Sequence, residues 1–341
     1  MVATIEYYAP CSLGMEDVLH LELDALGASR CREMRGGVAF CGDRAFGYKA
    51  NLWLRTAIRV QEKVFQGKVR DDDELYNLVQ RVDWSRYMSV DQTLAIDASV
   101  RDSAITHSQY AARKCKDAIV DQFRDRLGKR PNVDTSEPDL PLKITVLGNV
   151  ATIYLNLSGD SLHKRGWRPI QVKSPLNEAL AAGLLIMSRW DQRSPIVDPM
   201  CGSGTFLIEA ACMATDRAPG LGRMFPFETW PDFEEAAWRE LRADAESRIV
   251  RVLDFPIEGS DRHAGAISLA KKSAEAAGVH ELIEFTVADA RRFQPSVPPV
   301  AVVVNPPYGE RLGEGDDLLD TWDALGNFFH EQCRGAMAHV L

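Results

Sequence analysis

The stretch Asp198-Pro199-Met200-Cys201-Gly202-Ser203-Gly204-Thr205 follows a short apolar run, Ile196-Val197, and opens a longer apolar segment beginning at Phe206. An apolar run of strand length, a glycine-containing turn and a helix-length segment predict the first strand–turn–helix unit of an open α/β sheet. A nucleotide-like ligand settles at such a turn, at the carboxyl end of the strand. Gly202 and Gly204 would let the backbone approach a ligand that a Cβ would block. The Asp198 carboxylate suits a cationic amino group. The turn is not a phosphate loop, because no Lys-Ser/Thr follows, and it lacks the three-glycine spacing of a dinucleotide fingerprint. Taken alone, an ordinary strand–helix turn with two glycines remains the alternative.

Downstream the same alternation continues. Strands are expected at 257–260, 283–288 and 300–305, with helices at 176–190, 205–215, 263–277 and 318–332, which together predict a doubly wound parallel sheet. Two acids sit at successive strand ends. Asp261, followed by Arg262, could take both hydroxyls of a ribose, and Asp289, followed by Ala290, could meet an adenine amino group. Each alone reads equally as a solvated turn or a helix cap; their order after the glycine turn links them. The last strand runs into Asn305-Pro306-Pro307-Tyr308. The two prolines cannot donate backbone hydrogen bonds and hold the chain extended. That leaves the Asn305 side-chain oxygen and the Pro306 carbonyl as acceptors, a pair that matches the two N–H donors of a flat exocyclic amine. Tyr308 offers a face on which an extruded base could stack. A proline-stiffened turn with no chemistry is the plainer alternative.

The first half is of another kind. Strands are expected at 5–10, 37–41, 58–65 and 93–100, and helices at 13–26, 46–55, 75–82 and 108–123. A hairpin is expected across Gly148-Asn149. Without regular βαβ alternation this half is α+β. Residues 166–174, flanked by Pro169 and Pro175, read as a linker. Between the first strand of the second half and Asp261, residues 218–254 exceed a simple crossover and read as an insertion; for any single residue in it, Trp230 and Trp238 included, a solvated helical excursion is an equal alternative.

The 341 residues carry a net charge of −9, and the acidic excess lies beyond residue 165. The first 165 residues hold 23 basic and 23 acidic side chains, with eight Lys/Arg against four Asp/Glu across 101–130. Phosphate binding follows local clusters rather than totals, so Arg101, His107, Tyr110, Arg113, Lys114, Lys116, Arg124, Arg126, Lys129 and Arg130 are candidates for contact with a phosphate backbone, with Lys164 and Arg165 near the linker. On 108–123, Tyr110, Cys115, Ile119 and Phe123 hold core spacing, and a solvated helix face is the alternative for the cations. The seven cysteines form no CxxC, and no His stands at zinc-finger spacing from a pair, so reduced thiols and no metal are expected. No apolar run reaches membrane-spanning length, and MVATIEYYAP has no secretory character. The expected location is cytoplasmic.

DPMCGSGT with NPPY resembles class I methyltransferases acting on amino groups of nucleobases. The longer stretches NEALAA (177–182), FLIEAACMATDRAPGL (206–221) and NPPYGERL (305–312) narrow the likeness. So do SQYAARKCKDAIVDQF (108–123), RPNVD (130–134) and LNLSGDSLHKRGW (155–167) upstream. Across nearly the whole chain the sequence is similar to the bacterial THUMP-containing guanine-N2 methyltransferases of large-subunit ribosomal RNA. Many of these form the N-terminal half of a two-methylase fusion. The resemblance implies a ferredoxin-like segment at 1–45, a THUMP RNA-binding domain at 46–165, a linker at 166–175, and a Rossmann-like methyltransferase domain at 176–341 whose C-terminal strands are incomplete. It implies S-adenosyl-L-methionine as cofactor, with Asp198, Met200, Gly202 and Thr205 at its methionine part, Asp261 at the ribose and Asp289 at the adenine. Pro175, Asn177 and Glu178 would meet it from the first helix of the domain. Structured RNA, 23S ribosomal RNA or an assembling large subunit, is the implied partner, with a second methyltransferase fused or separate and no membrane. The alternatives are a transfer RNA guanine methylase, a DNA adenine amino-methylase, and a non-catalytic RNA-binding or assembly factor.

Overall fold

The computed structural model describes residues 4–168, 176–307 and 315–341, and divides into two units, one of residues 1–162 with 224–241 and one of residues 163–223 with 242–341. In the first unit the order is β1 (Ile5–Pro10), α1 (Glu16–Leu26), β2 (Ser29–Met34), β3 (Gly37–Gly42), α2 (Arg44–Trp53), β4 (Gln61–Lys68), α3 (Asp72–Gln80), β5 (Thr93–Arg101), α4 (Ser108–Leu127), β6 (Asn132–Val133), β7 (Leu140–Leu147) and β8 (Val150–Asn156). The strands form one eight-stranded sheet ordered β2-β3-β1-β4-β8-β7-β5-β6. Helix α1 exists because Val18, Leu19 and Leu23 bury on one stripe, and it stops at Gly27, whose φ of 93° is left-handed. Asp43 and Asp71 cap α2 and α3 by accepting from Phe46 N and Glu74 N. β2 has no counterpart among the expected strands: its sequence SRCREM is almost wholly exposed, so the edge strand carries no apolar alternation.

Tyr110 departs from its expected core position. It is 49% exposed in the first turn of α4, and its hydroxyl donates to Asp72 at 2.7 Å. The core of that helix is instead Ala111, Cys115, Ala118, Ile119 and Phe123. For Trp230 and Trp238 the solvated alternative does not hold. Residues 224–241 belong to the first unit, where Trp230 and Trp238 are 4% exposed. Tyr48, Phe225, Phe227, Phe233 and Trp238 form an aromatic cluster there, with Tyr48 and Phe227 stacked at 4.4 Å.

The second unit runs α5 (Glu178–Met187), β9 (Ile196–Asp198), α6 (Thr205–Ala214), β10 (Ile257–Asp261), α8 (Ala264–Ala277), β11 (Ile283–Val287), β12 (Ala301–Val304), α9 (Gly315–Gln332) and β13 (Met337–Val340), with α7 (Glu235–Ser247) beginning in the first unit. Its five strands are all parallel in the order β11-β10-β9-β12-β13. From β9 the chain builds outward to β10 and β11, then returns to β12 on the other side. Ligands bind at the carboxyl ends of strands at such a reversal. Ile196, Val197, Val302 and Val303 are at most 1% exposed, and Leu207, Ile208, Ala210 and Ala211 of α6 are fully buried. Each large apolar side chain so buried contributes about 1.5–3 kcal/mol, which fixes the strand ends that carry the polar residues.

Candidate active site

Three strand ends of the second unit converge. β12 pairs with β9 in the register Val302↔Val197, and β10 with β9 as Gly259↔Asp198. Neighbouring strands lie about 4.8 Å apart, so Asn305 and Met200, each three residues beyond a paired position, emerge side by side. They line one cavity of about 400 Å³, within the range of small-ligand sites. Its wall contains Asp198, Pro199, Met200, Cys201, Gly202, Ser203 and Thr205 from the glycine turn. Asp261, Arg262, Asp289 and Ala290 come from the next two strand ends, and Asn305, Pro306 and Pro307 from β12.

The carboxylates differ in what they do. Asp198 is 2% exposed and its Oδ1 accepts from Met200 N at 3.0 Å. Burial, reinforced by the nearby Asp261 charge and only partly opposed by that hydrogen bond, pushes its carboxyl up to about 8. A buried carboxyl facing a cavity favours a cationic ligand group. Asp261 holds the turn in place: Oδ2 accepts from Gly202 N at 3.0 Å and Oδ1 from His263 N at 2.8 Å. A carboxylate has about four lone-pair positions, so it retains capacity for hydroxyl donors. Asp289 accepts from Arg291 N at 3.0 Å. Arg291 also reaches Asp320 of α9 at 2.6 Å, so this guanidinium connects the β11 end to the last helix.

Gly202 and Gly204 divide the work assigned jointly to them. Both are left-handed, with φ of 54° and 78°, where side chains are strained. Gly202 lines the cavity, and a Cβ there would meet no atom within 4 Å, leaving open space for a ligand. A Cβ on Gly204 would meet the Phe285 ring and the Ala270 Cβ at 3.0–3.1 Å. Gly204 does not line the cavity; it permits α6 to pack closely, a correction to its expected place against a ligand.

At the end of β12, Asn305 Oδ1 is buried with no hydrogen-bond partner among the described residues. An orphaned buried acceptor costs about 1–3 kcal/mol, and a donor arriving in the cavity relieves that cost. The open glycine turn, the buried Asp198 carboxyl and this acceptor together fit a nucleoside bearing a cationic amino-acid part beside an amine-bearing substrate.

Asn177 and Glu178 are not in the cavity wall. Asn177 caps α5, its Oδ1 accepting from Leu180 N, and Glu178 is 4% exposed and ion-paired with Arg168 at 3.4 Å. Burial raises the Glu178 carboxyl, and the Arg168 charge opposes that. Arg168 Nη2 also donates to Thr205 Oγ1 at 2.9 Å, so these residues support the turn from behind. Leu176 is the residue of that stretch that reaches the cavity. Pro175 and Tyr308 lie outside the described residues. Sequence reasoning missed Phe206, His263, Arg291, Asp320, Thr321 and Ala324, which also line the cavity. The amphipathic pattern of α9 gave the helix but nothing in it marks which face closes a site.

Among the RNA-binding candidates, Arg165 is corrected outright. It is 4% exposed, and its Nε donates to Glu209 Oε1 at 3.2 Å inside the second unit. Its guanidinium is committed to a buried pair rather than to a surface. On α4, Lys114 pairs with Asp72 and Asp73, Lys116 with Asp117, and Arg124 with Asp121 and Asp125. Arg126 pairs with Asp83, Arg130 with Asp121 and Arg101 with Asp102. Arg113 and Lys129 are exposed, with no ion pair among the described residues, and His107 is exposed at the start of the helix.

Three families match successive parts of the chain: the RlmL ferredoxin-like domain over residues 6–61, the THUMP domain over 69–156, and the RMKL-like methyltransferase domain over 165–341. The ribosomal RNA large subunit methyltransferase K/L of Psychromonas ingrahamii is 40% identical over 97% of this chain and 45% of its own length. The chain spans less than half the length of the curated relatives it matches. A possible methylase from Clostridium difficile superposes with a TM-score of 0.87 at 34% identity, over 97% of this chain and 88% of its own. A putative methyltransferase solved in complex with SAH gives a TM-score of 0.88 at 30% identity, with the same coverage. With more than half of its residues in the matching segment, the chain belongs to the RMKL-like methyltransferase domain family.

Proposed function

We propose that this chain transfers a methyl group from S-adenosylmethionine to the exocyclic N2 amine of a guanine in large-subunit ribosomal RNA. The observation that carries the reading is the orphaned Asn305 oxygen in the same cavity as the glycine turn and Asp198. When bound, the cofactor supplies a methyl group activated by a sulfonium. Asp198 faces the cationic amino group, Asp261 the ribose and Asp289 the adenine edge. Asn305 Oδ1 and the Pro306 carbonyl accept the two N–H of a flipped base. Holding both hydrogens turns the nitrogen lone pair out of the amine plane toward the methyl, so the chain's contribution is positioning and fixed polarity. No strong base is required of it. Pro307 stiffens the strand end, and Tyr308 is proposed to stack on the base.

The THUMP match, and the names of relatives that act on ribosomal RNA of the large subunit, support RNA over DNA as partner. Residues 1–45, 46–165 and 176–341 are proposed as ferredoxin-like, RNA-gripping and catalytic parts, with exposed Arg113, Lys129 and His107 leading RNA contact. A cytoplasmic site of action accords with seven free thiols, and among the described residues no helix is long and apolar enough to cross a membrane. Incubation with labelled cofactor and either undermodified 23S ribosomal RNA or transfer RNA tests the reading. Label on the guanine N2 of the ribosomal RNA is expected. Label on transfer RNA alone, or none on either, refutes it.

A further inference from the structure

The first unit carries a cluster that the methyl-transfer reading leaves unused. His20 and Asp24 stand four residues apart on α1 and therefore share a face. Cys31 and Glu33 share the opposing face of the edge strand β2, two residues apart. One ligand atom each from His20, Asp24 and Cys31 lies within 4.8 Å of the others. The ring nitrogen Nδ1 of His20 meets Glu33 Oε1 at 2.7 Å, while Nε2 faces Asp24 Oδ2 at 3.5 Å. We propose that His20 Nε2, Asp24 and Cys31 Sγ form a binding site for a zinc-class divalent metal, with Glu33 as the carboxylate that orients the histidine.

Two features of the arrangement argue for a cation. Tetrahedral zinc bonds of about 2.0–2.3 Å set ligand–ligand separations of roughly 3.3–3.8 Å. The Asp24–His20 pair already stands at 3.5 Å, and a side-chain contraction of about 1 Å closes the rest. The contact from Glu33 to Nδ1 then completes the carboxylate–histidine–metal relay that fixes the imidazole tautomer. The charges also run against the helix. Asp24 lies in the last turn of α1, at the negative end of its dipole; that turn holds no basic residue, and the helix faces Asp24 with His20 one turn earlier. A nitrogen, a thiolate and a single carboxylate select a borderline metal, since calcium and magnesium require oxygen ligands throughout. Helix periodicity and strand alternation supply the ligands, so no finger-like spacing appears in the sequence. The metal would fasten the exposed edge strand to α1, and a water would take the fourth position.

The test uses the full chain after chelator treatment. Titration with zinc against a chromophoric competitor is expected to give one site, and cobalt to give a thiolate-to-metal charge-transfer band. Cys31→Ser is expected to abolish the band, and Glu33→Gln to weaken zinc binding about 10–100-fold. A band that survives Cys31→Ser, or no stoichiometric uptake at ~100 µM zinc, overturns the proposal. Cys31 is the one cysteine that is not buried, so alkylation of the unmutated chain gives a second readout. Zinc is expected to slow Cys31 alkylation at least about tenfold, in line with occupied thiolate ligands, and unchanged alkylation likewise overturns the site.

Discussion

Replacing Asp198 by Asn tests the electrostatic account of the cavity in a way activity alone does not. The Asp198 carboxyl is 2% exposed and raised from 3.8 to about 8, by burial first and by the Asp261 charge second. Between those two values the folded state holds a proton that the unfolded state has released. The carboxyl therefore stabilises the fold most below pH ~4, and the benefit is lost as pH rises through about 8. One pH unit across this window is worth up to about 1.4 kcal/mol, and with the curve flattening near the upper end, the loss from pH 6 to 8 is about 2 kcal/mol. The amide introduced by Asp198→Asn keeps an oxygen for Met200 N–H and does not titrate. The unfolding midpoint of the unliganded wild type is thus expected to fall relative to the Asp198→Asn variant by roughly 4–8 °C between pH 6 and pH 8. Scanning calorimetry of both proteins at the two pH values measures this. Parallel curves would show that Asp198 is already ionised without a ligand, and the reasoning from its burial would fail. The sign reverses when a cation binds: proton release on addition of the proposed cofactor is expected for the wild type and reduced in the variant.

Gly204→Ala is expected to cost about 1–3 kcal/mol, since φ is +78° and the new Cβ would press on the Phe285 ring; thermal unfolding checks it. Glu209→Ala leaves Arg165 charged and buried, and a loss of about 3–5 kcal/mol is expected in denaturant titrations. Combined Arg113→Ala and Lys129→Ala should leave stability nearly unchanged and reduce the salt dependence of RNA binding by about two phosphate contacts. An unaltered slope would remove both residues from the RNA surface.

How much was legible in the sequence follows from what each residue answers to. Ile196–Asp198 and Ala301–Val304 are short apolar strands buried on both faces, and local pattern alone reveals them; Ile257–Asp261, IEGSD, is almost as buried but carries a single large apolar side chain, and its place after a long crossover and before a helix marks it. The same holds for the polar residues at their ends, because the chain must leave a parallel sheet there. β2 was illegible because an exposed edge strand needs no apolar alternation. The place of residues 224–241 in the first unit was hidden because their aromatic partners, such as Tyr48, lie some 180 positions earlier. Arg165 and Glu178 looked like surface or ligand residues, since burial of a charge depends on partners, Glu209 and Arg168, that spacing does not disclose. Gly204 read as a ligand contact because a left-handed turn needs glycine whether the space beyond holds a ligand or a phenylalanine ring.

The most direct measurement is single-turnover methyl transfer by Asn305→Ala, with cofactor affinity measured on the same preparation and the modified atom mapped for the wild type. Gripping of the amine by this side chain predicts a rate lower by about a hundred- to a thousandfold, cofactor affinity within about threefold, and methyl on an exocyclic base nitrogen. A variant that transfers at the wild-type rate, or a wild-type product methylated on carbon or a ribose oxygen, would contradict it.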